Sequence, residues 1–535
     1  MSVTQFLDVF GFLSVLLRGL ALAFEALTVG GVIFLLLIAH SIAGSKLSER
    51  LLRWLICFSL LLGVTQICSV AANSAILIGS MGLRLSEIAG AEFWIAGSLI
   101  VAGAFAVALV AKTSWWRLIS PIACLSILAG SVMGSHSMAR LEHRSLLMAL
   151  TLCHHLAAAA WIGGLPYLLV ALRHSPEGPT AAAMTDRFSR MAMISVGVLV
   201  GAGTGMSIFY VGSPAAMFET TYGVMLWSKV ILTFVLLAIG ALNLNIVRGI
   251  RRGLAPGLVS LRRFGEAEVG VGLTVLLAAA SLTSTPPAID VLGDRVSPQT
   301  IAQRMKPKWP RMETPSVNEL SPATPLLTGE ILPQPGSFVP GQLLHPNTPS
   351  DIAWSEYNHH WAGLIVLAIG ILGLLSYRFS WARHWPLAFF GLALFLLIRA
   401  DSENWPLGPR GFWESFQVAE VAQHRVFVLL IVLFAVFEWG VRTNRMPSGR
   451  SSLIFPVVCA VGGALLMTHS HSLGNVKEEF LAELSHIPLA ILAVVAGWSR
   501  WIEIRVPDKR TWVAACIWPV CFVLIGTVLM LYRES

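Results

Sequence analysis

Two adjacent histidines, His154 and His155, stand inside the apolar, small-residue stretch Leu150–Leu169, LTLCHHLAAAAWIGGLPYLL. Ionisable side chains at membrane depth are rare and mark ion pathways or relays, so the pair is read first as functional and second as an interhelical hydrogen-bonding group. With about 3.6 residues per turn, His154 and Trp161 share a helical face, and Gly163 and Gly164 strip the next turn so that another helix can approach closely. Cys153, beside His154, is the one cysteine placed to join a ligand set. Other donors repeat the theme: His136 and His143 flanked by Met133 and Met138, then His359 and His360, His424, His469 and His471, and His486. Neutral imidazole suits copper, zinc, iron and nickel, and added thioether shifts the preference towards Cu(I), so copper is the expected metal. Glu356 with His359 or His360, Glu420 with His424, and Glu483 with His486 are spaced one helical turn apart. A carboxylate on the second ring nitrogen would orient a metal-ligating imidazole. In a continuous helix His469 and His471 would point roughly 200° apart, so their joint chelation requires the helix to end, which Gly474 and Asn475 allow.

The elements that must position these residues are membrane helices. The chain has 535 residues, of which 56% are hydrophobic and 12% charged. Apolar runs near the bilayer-crossing length of about 20 residues recur from end to end. The expectation is an all-α polytopic membrane protein of about fourteen transmembrane helices, eight plus six, with no room for a large soluble catalytic domain. The net charge of +8 resides in short loops, where it sets orientation and implies no nucleic-acid partner. MSVTQFLDVF lacks a basic start and no A-x-A site follows, so the first run is read as an uncleaved span. Within it Arg18 and Glu25 share a face and are expected to pair. Seven scattered cysteines without a C-x-x-C motif argue against a disulfide framework, structural zinc or an iron–sulfur cluster.

Lys and Arg fall in alternate loops, around 46–53, 112–117, 173–190, 248–263, 378–383, 442–450 and 500–510, which marks these as cytoplasmic and both termini as external. Residues 1–285 then form an eight-helix membrane domain and 358–535 a six-helix one. Between them, 286–357 is a proline-rich external linker, too poor in apolar residues for its own core, that packs on the membrane domain in places. On this topology most of the histidines lie in external loops or near external helix ends, which points to chemistry facing outwards.

CHHLAAAAWIGGL resembles the signature of the CopD (copper resistance protein D) family, which pairs a membrane histidine with W-x-G-G. RFSRMA (Arg187–Ala192), TTYGVMLWSK (Thr220–Lys229), GALN (Gly240–Asn243), RRFGEAEVG (Arg262–Gly270) and LTSTPPA (Leu282–Ala288) extend the likeness over residues 140–290. The second block is similar to the extension of longer members. The resemblance implies a bacterial inner-membrane protein of copper homeostasis, without enzymatic activity, that moves copper inwards from the periplasm or works with a periplasmic copper-binding protein. It places the family's carboxylate on Glu268, and Lys229 is at a depth expected to pair with such a carboxylate. Two alternatives remain open: a b-type haem redox protein with axial histidines from two helices, and a noncatalytic scaffold for a periplasmic copper chaperone. No G-x-x-x-x-G-K-[ST] motif supports an ATP-driven pump, so transport would be passive or proton-coupled.

Overall fold

The computed structural model describes residues 3–174, 179–251, 258–291, 295–315, 349–399, 405–409, 411–417, 419–446, 449–467, 476–506 and 512–533. Among these residues the regular structure is entirely helical. Among the described residues thirteen helices are long and apolar enough to cross a membrane, and Arg450–Leu466 is a shorter apolar helix. The expected count of about fourteen is met as thirteen spans plus this short one. Two compact units result, Met1–Arg295 with Met467–His471, and Val296–Leu466 with Ser472–Ser535.

In the first unit, α1 (Val3–Phe34) runs on through a π-helical turn, Leu35–Ala39. It is followed by α2 (Ser45–Met81), α3 (Glu92–Val110) and α4 (Trp116–Met133). Next come α5 (Arg144–His174), α6 (Pro179–Val211), α7 (Thr221–Arg251) and α8 (Leu258–Leu282). Three of these are central: the most apolar windows of α5, α1 and α8 are 83%, 72% and 72% buried, against 17% for α6. Small residues make that possible. A Cβ added to Gly163 of α5 would lie 1.8 Å from the Ala26 carbonyl oxygen of α1, and one on Gly30 would lie 2.1 Å from the Ala159 oxygen. The close approach read from Gly163 and Gly164 is therefore made by α1, backbone on backbone.

α5 is not a regular α-helix throughout. Ala159–Gly163 forms a wide π turn between Arg144–Ala158 and Leu165–His174. Pro166 has no N–H to offer the Ile162 carbonyl, and the glycine pair holds the α form weakly, so the ladder loosens at this point. Such turns are frequent at functional sites, and this one separates the histidine pair from the second half of the helix.

In the second unit a short helix, α9 (Pro298–Met305), begins where Ser297 accepts the Thr300 N–H at 3.2 Å and Pro298 takes the first position. Then come α10 (Pro349–Leu375), α11 (Ala388–Arg399), α12 (Ala419–Arg442), α13 (Ile454–Leu466), α14 (Val476–Arg505) and α15 (Trp512–Met530). α10 starts well before the apolar run seen in the sequence. Trp385, Phe389, Phe434, Phe455, Trp518 and Phe522 form an aromatic core. The described part of the proline-rich segment packs on this unit: the Arg311 N–H donates to His360 Nδ1 at 2.7 Å, and Trp361 Nε1 donates to the Met312 carbonyl at 3.1 Å.

Candidate functional site

Adjacent residues on a helix point about 100° apart, so His154 and His155 meet different neighbours. His155 turns to α1 and α4. Its Nδ1 lies 3.0 Å from Glu25 Oε1 and 3.1 Å from Ser131 Oγ, while Ser131 donates to Glu25 Oε2 at 2.8 Å. Glu25 is 5% exposed and the His155 side chain 19%. A carboxylate on Nδ1 places the ring proton there, which leaves the Nε2 lone pair outward, the arrangement that orients a metal-binding imidazole.

His154 turns to α6 and α7 instead. Its Nδ1 meets the Leu199 carbonyl at 3.2 Å and its Nε2 faces Lys229 Nζ at 3.5 Å. Gly203 makes the space, since a Cβ there would stand 3.3 Å from the ring. Both nitrogens are engaged, and an ammonium group at one of them repels a cation.

A third cluster lies further along α5. Glu268 of α8 accepts Trp161 Nε1 at 2.9 Å and the side-chain N–H of Asn243 of α7. It lines a cavity of about 270 Å³ between α5, α6, α7 and α8, walled by Leu165, Phe188, Met193 and Leu244.

Two expected pairings are corrected. Arg18 does not reach Glu25: residues seven apart share a face but are separated by about 10 Å along the axis. Arg18 instead donates to the carbonyls of Thr283 and Gly134, at 3.1 and 2.7 Å, tying α1 to the ends of α8 and α4. Lys229 does not pair with Glu268 but faces His154. Counting back from the α7–α8 connection, Lys229 is about 33 Å up α7 and Glu268 only about 15 Å up α8, whereas Asn243, at about 12 Å, is level with it. That count needs the helix ends at Arg251 and Leu258, which the structure supplies. Ser131 carried no signal beyond its type.

The remaining candidates are dispersed. His136 stands between Arg18, Arg140 and the edge of Tyr210, and burial followed by those two guanidinium groups pushes it down to about 4. Such an environment opposes a cation. His143 is exposed at a positive φ of 54°, with its ring 5.0 Å from Phe209. Met138 Sδ accepts from Arg144 at 2.9 Å, Met133 is half-buried, and Cys153 faces outward from α5. His360, expected as a metal donor, has both nitrogens taken by the Arg311 N–H and the Tyr532 carbonyl, 2.7 and 3.0 Å away, so it is a strap. His359 Nδ1 meets the Ser355 carbonyl at 2.8 Å, and its ring stacks on Tyr532 and lies edge-on to His486 at 6.5 Å. Glu356 sits 3.9 Å from Arg311, Glu483 is fully buried and His424 is half-buried. His469, His471 and the side chain of Glu420 lie outside the described residues. Among the described residues no three His, Cys, Asp or Glu side chains gather into a metal cluster.

Residues 182–282 match the family described as "CopD: Copper resistance protein D", so the resemblance read from the sequence is borne out over this segment. A curated relative, "Copper transport protein CutJ" of Bacillus subtilis (strain 168), is 27% identical over 225 residues, which are 40% of this chain and 40% of that protein. The chain thus spans well under half the length of that relative. No solved structure matches.

Proposed function

We propose that this chain is a copper-handling protein of the bacterial inner membrane that takes copper at its periplasmic side and passes it inward through the first unit. His155 is the membrane-depth ligand and His154 its brace. The observation that carries this reading is the Glu25–Ser131–His155 set, which holds Nδ1 at 3.0 Å from a buried carboxylate and so leaves Nε2 as the nitrogen with a lone pair for a soft cation. The CopD segment and the name of the relative support copper as the cargo. Exposed His143 and half-buried Met133 are the donors near the outer end suited to first capture, and a periplasmic copper-binding protein is the natural supplier. The alternation of basic loops supports external termini.

The test is Cu(I) uptake by full-length protein in liposomes. His155→Ala abolishes uptake and His154→Ala retains most of it. Unchanged uptake by His155→Ala overturns the assignment. A Soret band in the purified protein replaces the copper reading by the haem one. Capture of a periplasmic copper carrier without any uptake replaces it by the scaffold reading.

A further inference from the structure

Glu268 lies outside the Glu25–Ser131–His155 set, and its surroundings are unusual for a carboxylate. It is 5% exposed, and about ten residues of α8 separate it from the nearer helix end, placing it roughly 15 Å deep. Two neutral donors hold it, Trp161 Nε1 on one oxygen and Asn243 Nδ2 on the other. Several charged groups on the elements packed around it are engaged elsewhere, and Arg173 of α5, Arg248 of α7 and Arg262 of α8 make no ion pair with it. On α1, Glu25 holds His155 and Arg18 holds two carbonyls. On α7, Lys229 faces His154; on α6, Asp186 pairs with Arg190 at 2.9 Å and Arg187 donates to Ser41; on α8 itself, Arg263 pairs with Glu266 at 3.2 Å. Among the described residues no cation pairs with Glu268. A buried carboxylate without a counter-charge neutralises by taking up a proton.

Two further features bear on that. The cavity of about 270 Å³ reaches from Glu268 to Met193 and Ala241, on the outer, lipid-facing sides of the spanning helices α6 and α7, so the carboxyl group borders open space instead of close-packed side chains. Asn243 also lines it, is 8% exposed, and has an Oδ1 that is buried with no hydrogen-bond partner. An amide carries a donor and an acceptor on one rotor. As it stands, Asn243 offers Nδ2 to a carboxylate; a half-turn would offer Oδ1 to the O–H of a carboxylic acid, and the cavity leaves room for that turn.

We propose that Glu268 is a proton-exchange site, which binds and releases a proton within the first unit while Asn243 turns its amide to match. On loading, a hydronium ion that reaches the cavity gives its proton to a Glu268 oxygen and leaves as water, and the new O–H donates to Asn243 Oδ1. On unloading, the proton returns to water and Nδ2 donates to the carboxylate again. The polar end of the cavity holds oxygen acceptors and no imidazole, which suits a proton better than Cu(I). The site is independent of the copper reading and stands if copper is not the cargo.

The experiment is infrared difference spectroscopy of full-length protein in lipid during a pH change, without copper. A carbonyl band of a protonated carboxylic acid should disappear on raising the pH, be lost in Glu268→Gln, and shift in Asn243→Ala, which keeps the carboxyl group. Reaction with a lipid-soluble carbodiimide, which modifies protonated carboxyl groups, should label the Glu268 peptide at acid pH and lose that label as the pH rises. A spectrum in which Glu268→Gln removes no such band overturns the proposal, and so does a Glu268 band or label that does not change with pH.

Discussion

Both units bury ionisable groups among apolar helices, but the second sets two largely buried guanidinium groups against carboxylates. There Arg442 pairs with Glu438 at 2.8 Å and Arg500 with Glu503 at 2.6 Å. Trp518 Nε1 donates to Glu503 Oε2 at 3.0 Å, and the Arg442 guanidinium lies 5.3 Å from the rings of both Trp385 and Trp518. Each charge has an opposite charge and an aromatic plate, which is the pattern of a structural clamp. In the first unit the two buried carboxylates meet weaker partners, an imidazole and a hydroxyl at Glu25, two neutral N–H groups at Glu268. Partners that do not neutralise leave room for a proton or a metal ion to do so. The contrast separates groups that hold the fold from groups that can exchange a ligand.

The largest effect on this contrast is expected from Gly163→Val, which drives a side chain into the Ala26 carbonyl and should abolish the folded first unit, read as loss of monodisperse protein in detergent. Next, Arg442→Leu strands Glu438 at 3% exposure and should lower stability by about 3 to 5 kcal/mol, with Arg442→Leu/Glu438→Leu recovering most of it in a melting experiment. A double variant no more stable than the single one would show that the second unit is not a compensated clamp. Glu25→Gln should leave the melting curve nearly unchanged yet weaken copper binding by about 10- to 100-fold in a competition titration. His154→Gln should weaken it far less.

The smallest effect concerns pH. The folded chain holds His136 at about 4 against an ordinary value of 6.5, because burial and then Arg18 and Arg140 oppose the charge. The unfolded chain therefore takes the proton first as the pH falls. Stability from this group is complete above pH 6.5 and is lost on descending towards about 4. His136→Gln should flatten that part of the melting temperature against pH, and an unchanged slope would remove His136 as its source.

Fold class was legible because bilayer length and hydropathy leave a chain of this composition few options. So was the small-residue face of α5, whereas α9, which Ser297 and Pro298 start, went unread inside the proline-rich linker. The donors were found by type, but their partners were not: Arg18 and Glu25 shared a face yet not a depth, and Lys229 and Glu268 sat at different heights of one hairpin. Carboxylate spacing also misread Glu356 and His360, since the Arg311 segment, distant in sequence, met both.

Periodicity along one chain says which residues share a face, and from it the sequence alone determined that His154 and His155 look in different directions. Which of them receives a carboxylate and which an ammonium group was decided by the helices that came to lie on either side. A hydrogen bond requires atoms within about 3 Å, and depth across separate helices is set by backbone contacts such as Gly163 on Ala26, which only the packed structure makes.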